Sequence, residues 1–213
     1  MKEKKTVNNP IKFIILPILL SCAVIIPGSP LLAADLMVDS FENSGHTDIG
    51  TDIGTWNYNP GDPNQGCTID IVPSKEVMGK EGVETHVLKI SYSVASPLPA
   101  FNGVYIKLSN GDLTSYDEMS MLVKGDREKG FTTKFKVELK NIKGERAVYL
   151  VKGITDQWQK LVIPMEELKV LASISDWTKM KEIIFTFDDI TADKRQGVLY
   201  VDDIMFSKKE QSQ

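Results

Sequence analysis

From Leu36 onward the chain is built of short runs in which apolar and polar residues take turns. Val87 to Val94 reads V-L-K-I-S-Y-S-V, so Leu88, Ile90, Tyr92 and Val94 share one face and Lys89, Ser91 and Ser93 the other. A period of two predicts a strand with one wet face. Val104 to Leu108 alternates likewise, with Val104, Ile106 and Leu108 inward and Tyr105 and Lys107 outward. Phe131, Thr133, Phe135, Val137 and Leu139 oppose Thr132, Lys134, Lys136 and Glu138 in a third strand. Further strands are predicted at Met119 to Lys124, Ala147 to Val151, Lys160 to Ile163, Ile183 to Phe187 and Val198 to Phe206. Helical periodicity is confined to two short turns, Pro164 to Leu168 and Asp176 to Met180, the second capped by Ser175 or Asp176. Many short strands separated by Gly, Asn and Asp predict an all-β sandwich.

One stretch breaks the rhythm. The tandem tetrapeptide Thr47-Asp48-Ile49-Gly50 and Thr51-Asp52-Ile53-Gly54 opens a long loop through Trp56, Tyr58, Pro60, Gly61, Asp62, Pro63 and Gly66. Two copies of four residues are too few for a solenoid and read as a duplication in a tolerant loop. A loop this long in a compact domain is functional or mobile.

The chain begins differently. Lys2, Lys4, Lys5 and Lys12 precede an apolar run from Phe13 to Ile26, then Pro27-Gly28-Ser29-Pro30 and Leu31-Leu32-Ala33-Ala34. A basic start, a short apolar run and small residues describe a secretory signal peptide over residues 1–34, cleaved after Ala34, with the β-domain at 35–213. Two other fates stay open: Leu19-Leu20-Ser21-Cys22 has the form of a lipobox, and the apolar run is a candidate membrane anchor. Pro17 and the Pro-Gly-Ser-Pro segment count against an anchor, and the apolar residues after Cys22 against lipidation. After signal cleavage no span remains, and the expected location is secreted or periplasmic, with a cell-surface lipoprotein through Cys22 as the variant.

Removing the four lysines and one glutamate of residues 1–34 takes the formal charge from −4 to −7. An acidic domain lacks the basic face that nucleic-acid binding needs. After cleavage only Cys67 remains, so no internal disulfide is available and stability must come from packing or from packing with a bound metal. No Ser-His-Asp arrangement, metalloprotease helix or phosphate loop is present, and neither His46 nor His86 has a spacing that makes Cys67 a nucleophile. Asp202 and Asp203 are adjacent along a strand, so in regular geometry they point to opposite faces, and Asp188-Asp189, read as a turn, has the same limitation; neither makes a glycosidase pair. No catalytic residue is assigned.

Acidic residues nonetheless stand in apolar strands at both ends of the domain: Val38-Asp39-Ser40-Phe41-Glu42 and Leu199-Tyr200-Val201-Asp202-Asp203-Ile204-Met205-Phe206. Carboxylates placed there need a cation or a donor network to offset desolvation. These segments belong to an ordered series with Leu88-Lys89-Ile90-Ser91-Tyr92, Phe101-Asn102-Gly103-Val104-Tyr105, Tyr116-Asp117, Val123-Lys124-Gly125-Asp126, Gly153-Ile154-Thr155-Asp156-Gln157-Trp158, Ile163-Pro164 and Asp176-Trp177. The series resembles the galactose-binding-like jelly roll of carbohydrate-binding modules. It is most similar to family eleven and to the related domain of complex I intermediate-associated proteins, over Leu36 to Phe206.

The resemblance implies a jelly-roll β-sandwich with a structural calcium. Glu42 and Asp202 would be side-chain ligands, Asp203 the alternative at the last strand, and the Ser40 carbonyl a backbone ligand, with the segment Glu84-Thr85-His86 adding oxygens. It also implies a non-catalytic module that takes an oligo- or polysaccharide on aromatic rings, for which Tyr105 with Lys107 on a wet strand face and Trp56 and Tyr58 in the long loop are the candidates. Tyr92 alternates with inward residues and is expected in the core, as Trp158 and Trp177 are expected to pack. A structural or assembly protein that binds a protein partner on the same fold is the alternative. Exposed rings favour sugar, whereas a broad apolar patch or an open strand edge favours a protein.

Overall fold

Alternation of side chains across a pleat requires something on the dry side of every strand, and two sheets facing each other supply it. The computed structural model describes residues 34–43, 47–49, 51–109 and 111–209, all within one unit, Ala33–Gln213. The signal segment, Cys22 and His46 lie outside the described residues.

Eleven strands and one helix are present among the described residues. In chain order they are β1 Leu36–Asp39, β2 Ile53–Asn57, β3 Gln65–Ser74, β4 Thr85–Val94, β5 Phe101–Lys107, β6 Glu118–Gly125, β7 Lys134–Asn141, β8 Arg146–Lys152, β9 Gln159–Pro164, α1 Met165–Leu171, β10 Met180–Asp188 and β11 Gln196–Ser207. One sheet has the order β3-β4-β11-β6-β9 with β1 also on β11, and the other the order β2-β5-β10-β7-β8, with every pairing antiparallel. The all-β sandwich expected from the alternation is present.

The inward residues fill the space between the sheets. Leu88, Ile90 and Val94 of β4 meet Val104 and Ile106 of β5, Phe135, Val137 and Leu139 of β7, and Phe185 and Phe187 of β10 in one buried cluster. Tyr92 is core as expected: it stacks on Phe187 of the opposite sheet with centroids 4.3 Å apart and planes within 6°. Trp177 packs on this cluster and Trp158 on a smaller one around Val77, Val87 and Leu122.

Four local expectations differ. Trp56 does not lie in a loop: Ile53–Asn57 is β2, hydrogen-bonded along β5, and β3 follows at Gln65. The third strand begins at Lys134, because Asp193 draws the preceding residues out of the ladder, accepting from Thr133 N–H at 2.8 Å beside the Thr132 hydroxyl at 2.9 Å. Asp176 to Met180 is not helical; Asp176 Oδ1 accepts from Thr178 N–H at 3.0 Å and from its hydroxyl at 2.6 Å, a turn that competes with a helix. Pro164 is the extended residue before α1 rather than its first helical residue, and Met165 N–H donates to Asp117 O at 2.9 Å.

The last strand changes partner along one edge. β11 pairs with β4 over Gln196–Val201 and with β1 over Ile204–Phe206. At the handover the register against β6 shifts between Asp202 and Met205, and Asp203 has φ 47°. This bulge overturns the regular alternation expected of Asp202-Asp203.

Candidate functional site

The outer face of the five-stranded sheet forms a groove of about 660 Å³. On β2 the outward residues are Gly54 and Trp56, and on β5 they are Phe101, Gly103, Tyr105 and Lys107. Antiparallel register sets Gly54 opposite Tyr105 and Trp56 opposite Gly103. Each ring therefore lies across a glycine of the neighbouring strand. A Cβ on Gly54 would stand 2.5 Å from the Tyr105 hydroxyl oxygen, and one on Gly103 would meet the Phe185 carbonyl while approaching Trp56 Nε1 at 3.2 Å. The bare backbone lets both rings lie low on the sheet where they line the groove. Phe101 supports them, edge-on to Trp56 with centroids 5.9 Å apart and stacked on Tyr58 at 4.1 Å. Tyr58 is exposed at the groove's end.

The floor beyond the rings is polar, and most of its charges are paired. Lys136 Nζ lies 2.8 Å from Asp188 Oδ2, Arg146 Nη1 donates to Glu138 Oε2 at 3.1 Å, and Thr186 Oγ1–H donates to Glu138 Oε1 at 2.6 Å. Lys140 Nζ donates to Glu182 Oε2 at 3.1 Å, and Lys107 Nζ to Asp52 Oδ2 at 2.7 Å. Burial by itself pushes the Asp188 and Glu182 carboxyls up, but Lys136 with Thr191 and Lys140 with Lys181 hold them below the usual carboxylate range. Ile184 joins Tyr105 as an apolar island between these pairs. Rings flanked by fixed donors and acceptors are the mixture that holds a ligand with apolar faces and many hydroxyls.

The residues expected around a calcium lie elsewhere: Asp202 and Asp203 converge on one lysine, while Glu42 and Ser40 take other partners. Glu42 accepts from the Thr85 hydroxyl and, at 3.2 Å, from His86 N–H, and lies 3.2 Å from His86 Nδ1. Ser40 N–H donates to Asp48 Oδ2 at 2.8 Å. Asp202 and Asp203 both face Lys80, whose Nζ is 3.1 Å from Asp202 Oδ2 and 2.9 Å from Asp203 Oδ1. Among the described residues no group of three or more His, Cys, Asp and Glu side chains is placed to hold a metal ion. These residues do not fit the calcium that the resemblance implies.

A family model described as carbohydrate binding domain 30 matches residues 50–208, which includes all ten strands from β2 to β11. The chain belongs to this family. Solved carbohydrate-binding modules share its fold. A family 11 module of a cellulosomal cellulase of Clostridium thermocellum is 19% identical, with TM-score 0.58, 84% of this chain and 97% of that one covered. A family 11 module from the same organism, in complex with a β-1,3-1,4-mixed-linked tetrasaccharide, is 17% identical, with TM-score 0.58 and coverage of 84% and 98%. A family 30 module of another cellulosomal cellulase of that organism is 13% identical, with TM-score 0.57 and coverage of 84% and 100%. No curated protein matches the chain.

This carbohydrate-binding module has a second groove of about 660 Å³ on the outside of the other sheet. Its rings are already covered: Lys124 Nζ sits 5.5 Å from the Trp158 centroid and 5.6 Å from that of Tyr200, and pairs with Glu76 at 3.2 Å. The groove on β2 and β5 is the better site because, among the described residues, no cation lies over Trp56, and Lys107 Nζ stands farther from its ring, 6.0 Å from the Tyr105 centroid. Of the residues read from sequence, it gathers Trp56, Tyr105 and Lys107, with Tyr58 beyond its end on Phe101. Sequence reasoning did not pick out Phe101, Glu138, Arg146, Glu182 or Asp188. The available signal was the matching pair Gly54-Thr55-Trp56 and Gly103-Val104-Tyr105, which puts ring against glycine once two such strands run antiparallel.

Proposed function

We propose that this is a secreted, non-catalytic module that holds a neutral oligo- or polysaccharide chain in the groove of the five-stranded sheet, stacked on Trp56 and Tyr105. The observation that carries this reading is the reciprocal seating of the two rings on Gly54 and Gly103 beside a floor of paired charges. Five strands at a spacing of about 4.8 Å give a platform roughly 19 Å across, enough for a short oligosaccharide. Lys107 and Tyr58 border the rings, and the ion pairs of Glu138, Glu182 and Asp188 offer hydroxyl partners already fixed in place. The same pairing supports a role without catalysis, since a glycosidase acid needs a carboxyl raised toward neutrality, and the Glu182 and Asp188 carboxyls are held low. The basic start and apolar run before Ala34 support export, which fractionation of expressing cells would test.

The mixed-linked tetrasaccharide bound by the family 11 structure makes soluble β-1,3-1,4-glucan the first probe, followed by an array of other glycans. Retention on glucan gels should weaken at least tenfold, about 1.4 kcal/mol or more, in Trp56→Ala and Tyr105→Ala. Folded variants that keep full retention would remove those rings from the site, and a folded wild type that retains no glycan would overturn the reading.

A further inference from the structure

The handover from β4 to β1 along β11 gathers carboxylates around one ammonium. Asp39 and Asp202 are buried, at 2% and 0% exposure, and Asp203 is half-buried beside them. Asp48 hydrogen-bonds to Ser40 and Asn43 just outside. A carboxylate removed from water costs several kcal/mol unless a counter-charge or donors replace the water. Asp39 uses a donor, accepting from Phe41 N–H at 2.8 Å. Asp202 and Asp203 use a cation, and that cation is Lys80.

The geometry around Lys80 is built rather than incidental. Its segment, between β3 and β4, is anchored by Val77, which is wholly buried, and by the turn bonds from Lys80 N–H to Val77 O at 2.9 Å and from Val83 N–H to Lys80 O at 3.0 Å. On the other side, the left-handed backbone of Asp203 swings its carboxyl to the same side as that of Asp202, so two consecutive residues reach one nitrogen. Regular strand geometry would have sent them to opposite faces. Glu42, three residues past the end of β1, closes the seam separately through Thr85 and His86 at the start of β4. A calcium ion needs about six to eight oxygens around one point. Here the two last-strand carboxylates each direct an oxygen at an ammonium, and Glu42 is engaged elsewhere.

We infer that Lys80 is the resident cation of this seam: its ammonium, not a metal ion, ties Asp202 and Asp203 of the last strand to the β3–β4 connection, so that the first-to-last-strand junction holds without calcium. The experiment is thermal unfolding of the full chain, wild type and variants, in calcium and in excess chelator, with a calorimetric titration of calcium into chelator-treated wild type. Wild type should show the same midpoint in both buffers and no calcium heat. Lys80→Met, which keeps most of the stem and removes the charge, should lower the midpoint in chelator by about 10 °C, as loss of one partner of a buried pair does. Lys80→Arg should recover most of that loss. The inference is overturned if chelation lowers the wild-type midpoint, if wild type binds calcium, or if Lys80→Met unfolds at the wild-type temperature in chelator. The wild-type arms decide the matter even where Lys80→Met fails to fold. Glycan retention plays no part, so this test and that of the groove fail independently.

Discussion

Asp188 and Glu182 show how a charged floor is kept in place: each is drawn from water by the sheet and restored to its ionised form by a lysine of the neighbouring strand. A carboxyl whose folded pKa lies below its unfolded value stabilises the fold above the unfolded value, about 4, and loses that contribution as pH falls through the folded one. Glycan retention should therefore be level from about pH 5 to 8 and fall below about pH 4 as the floor is protonated. Asp39 and Asp202 act in the opposite direction. Burial, with Asp48 and Asp203 respectively adding repulsion, pushes their pKa values up to about 6, so both take up protons more readily folded than unfolded. The thermal midpoint mixes the two effects, and retention is the cleaner readout. Cys67 gives a separate check, since burial pushes its thiol up to about 12. It should resist alkylation at pH 8 in the folded protein and react once denatured, as peptide mass mapping would show.

Between elements, register decides more than composition does. Trp56 and Tyr105 owe their low seats to glycines on the partner strand, so a side chain at Gly54 should displace Tyr105 without touching it in sequence. Gly54→Val is expected to reduce glucan retention about as much as Tyr105→Ala, because its Cβ would overlap the ring; unchanged retention in a folded Gly54→Val protein would show that the ring's position is immaterial. This part of the site was only partly legible. β4, β5 and β10 announce themselves through alternation, and the outward Tyr105 and Lys107 follow directly. β2 does not: Ile-Gly-Thr-Trp-Asn is short, glycine-bearing and half-buried throughout, and becomes a strand because β5 offers it a ladder. β3 was missed for a related reason, since it is an edge strand whose Ile71 and Pro73 are exposed and blur the pattern.

At the scale of the whole molecule, the sandwich depends on contacts that cross between sheets, and the Tyr92–Phe187 stack is one of them. Phe187→Ala should cost about 3–5 kcal/mol and lower the midpoint by roughly 10 °C, since it empties a fully packed position; a loss under about 1 kcal/mol would mean that the sheets close without that stack. Alternation along the chain by itself determined the all-β class, most of the strands, the inward set including Tyr92, and the wet face that carries Tyr105. It did so because the choice between core and water is made residue by residue along a pleat of period two. Only the tertiary structure decided that Trp56 joins that face, that Gly54 and Gly103 seat the rings, and that charges far apart in sequence pair across the floor. It alone also brought Lys80 to Asp202 and Asp203, 122 and 123 residues away. Those outcomes depend on which strands become neighbours and where a bulge interrupts them, and a local period carries no record of either.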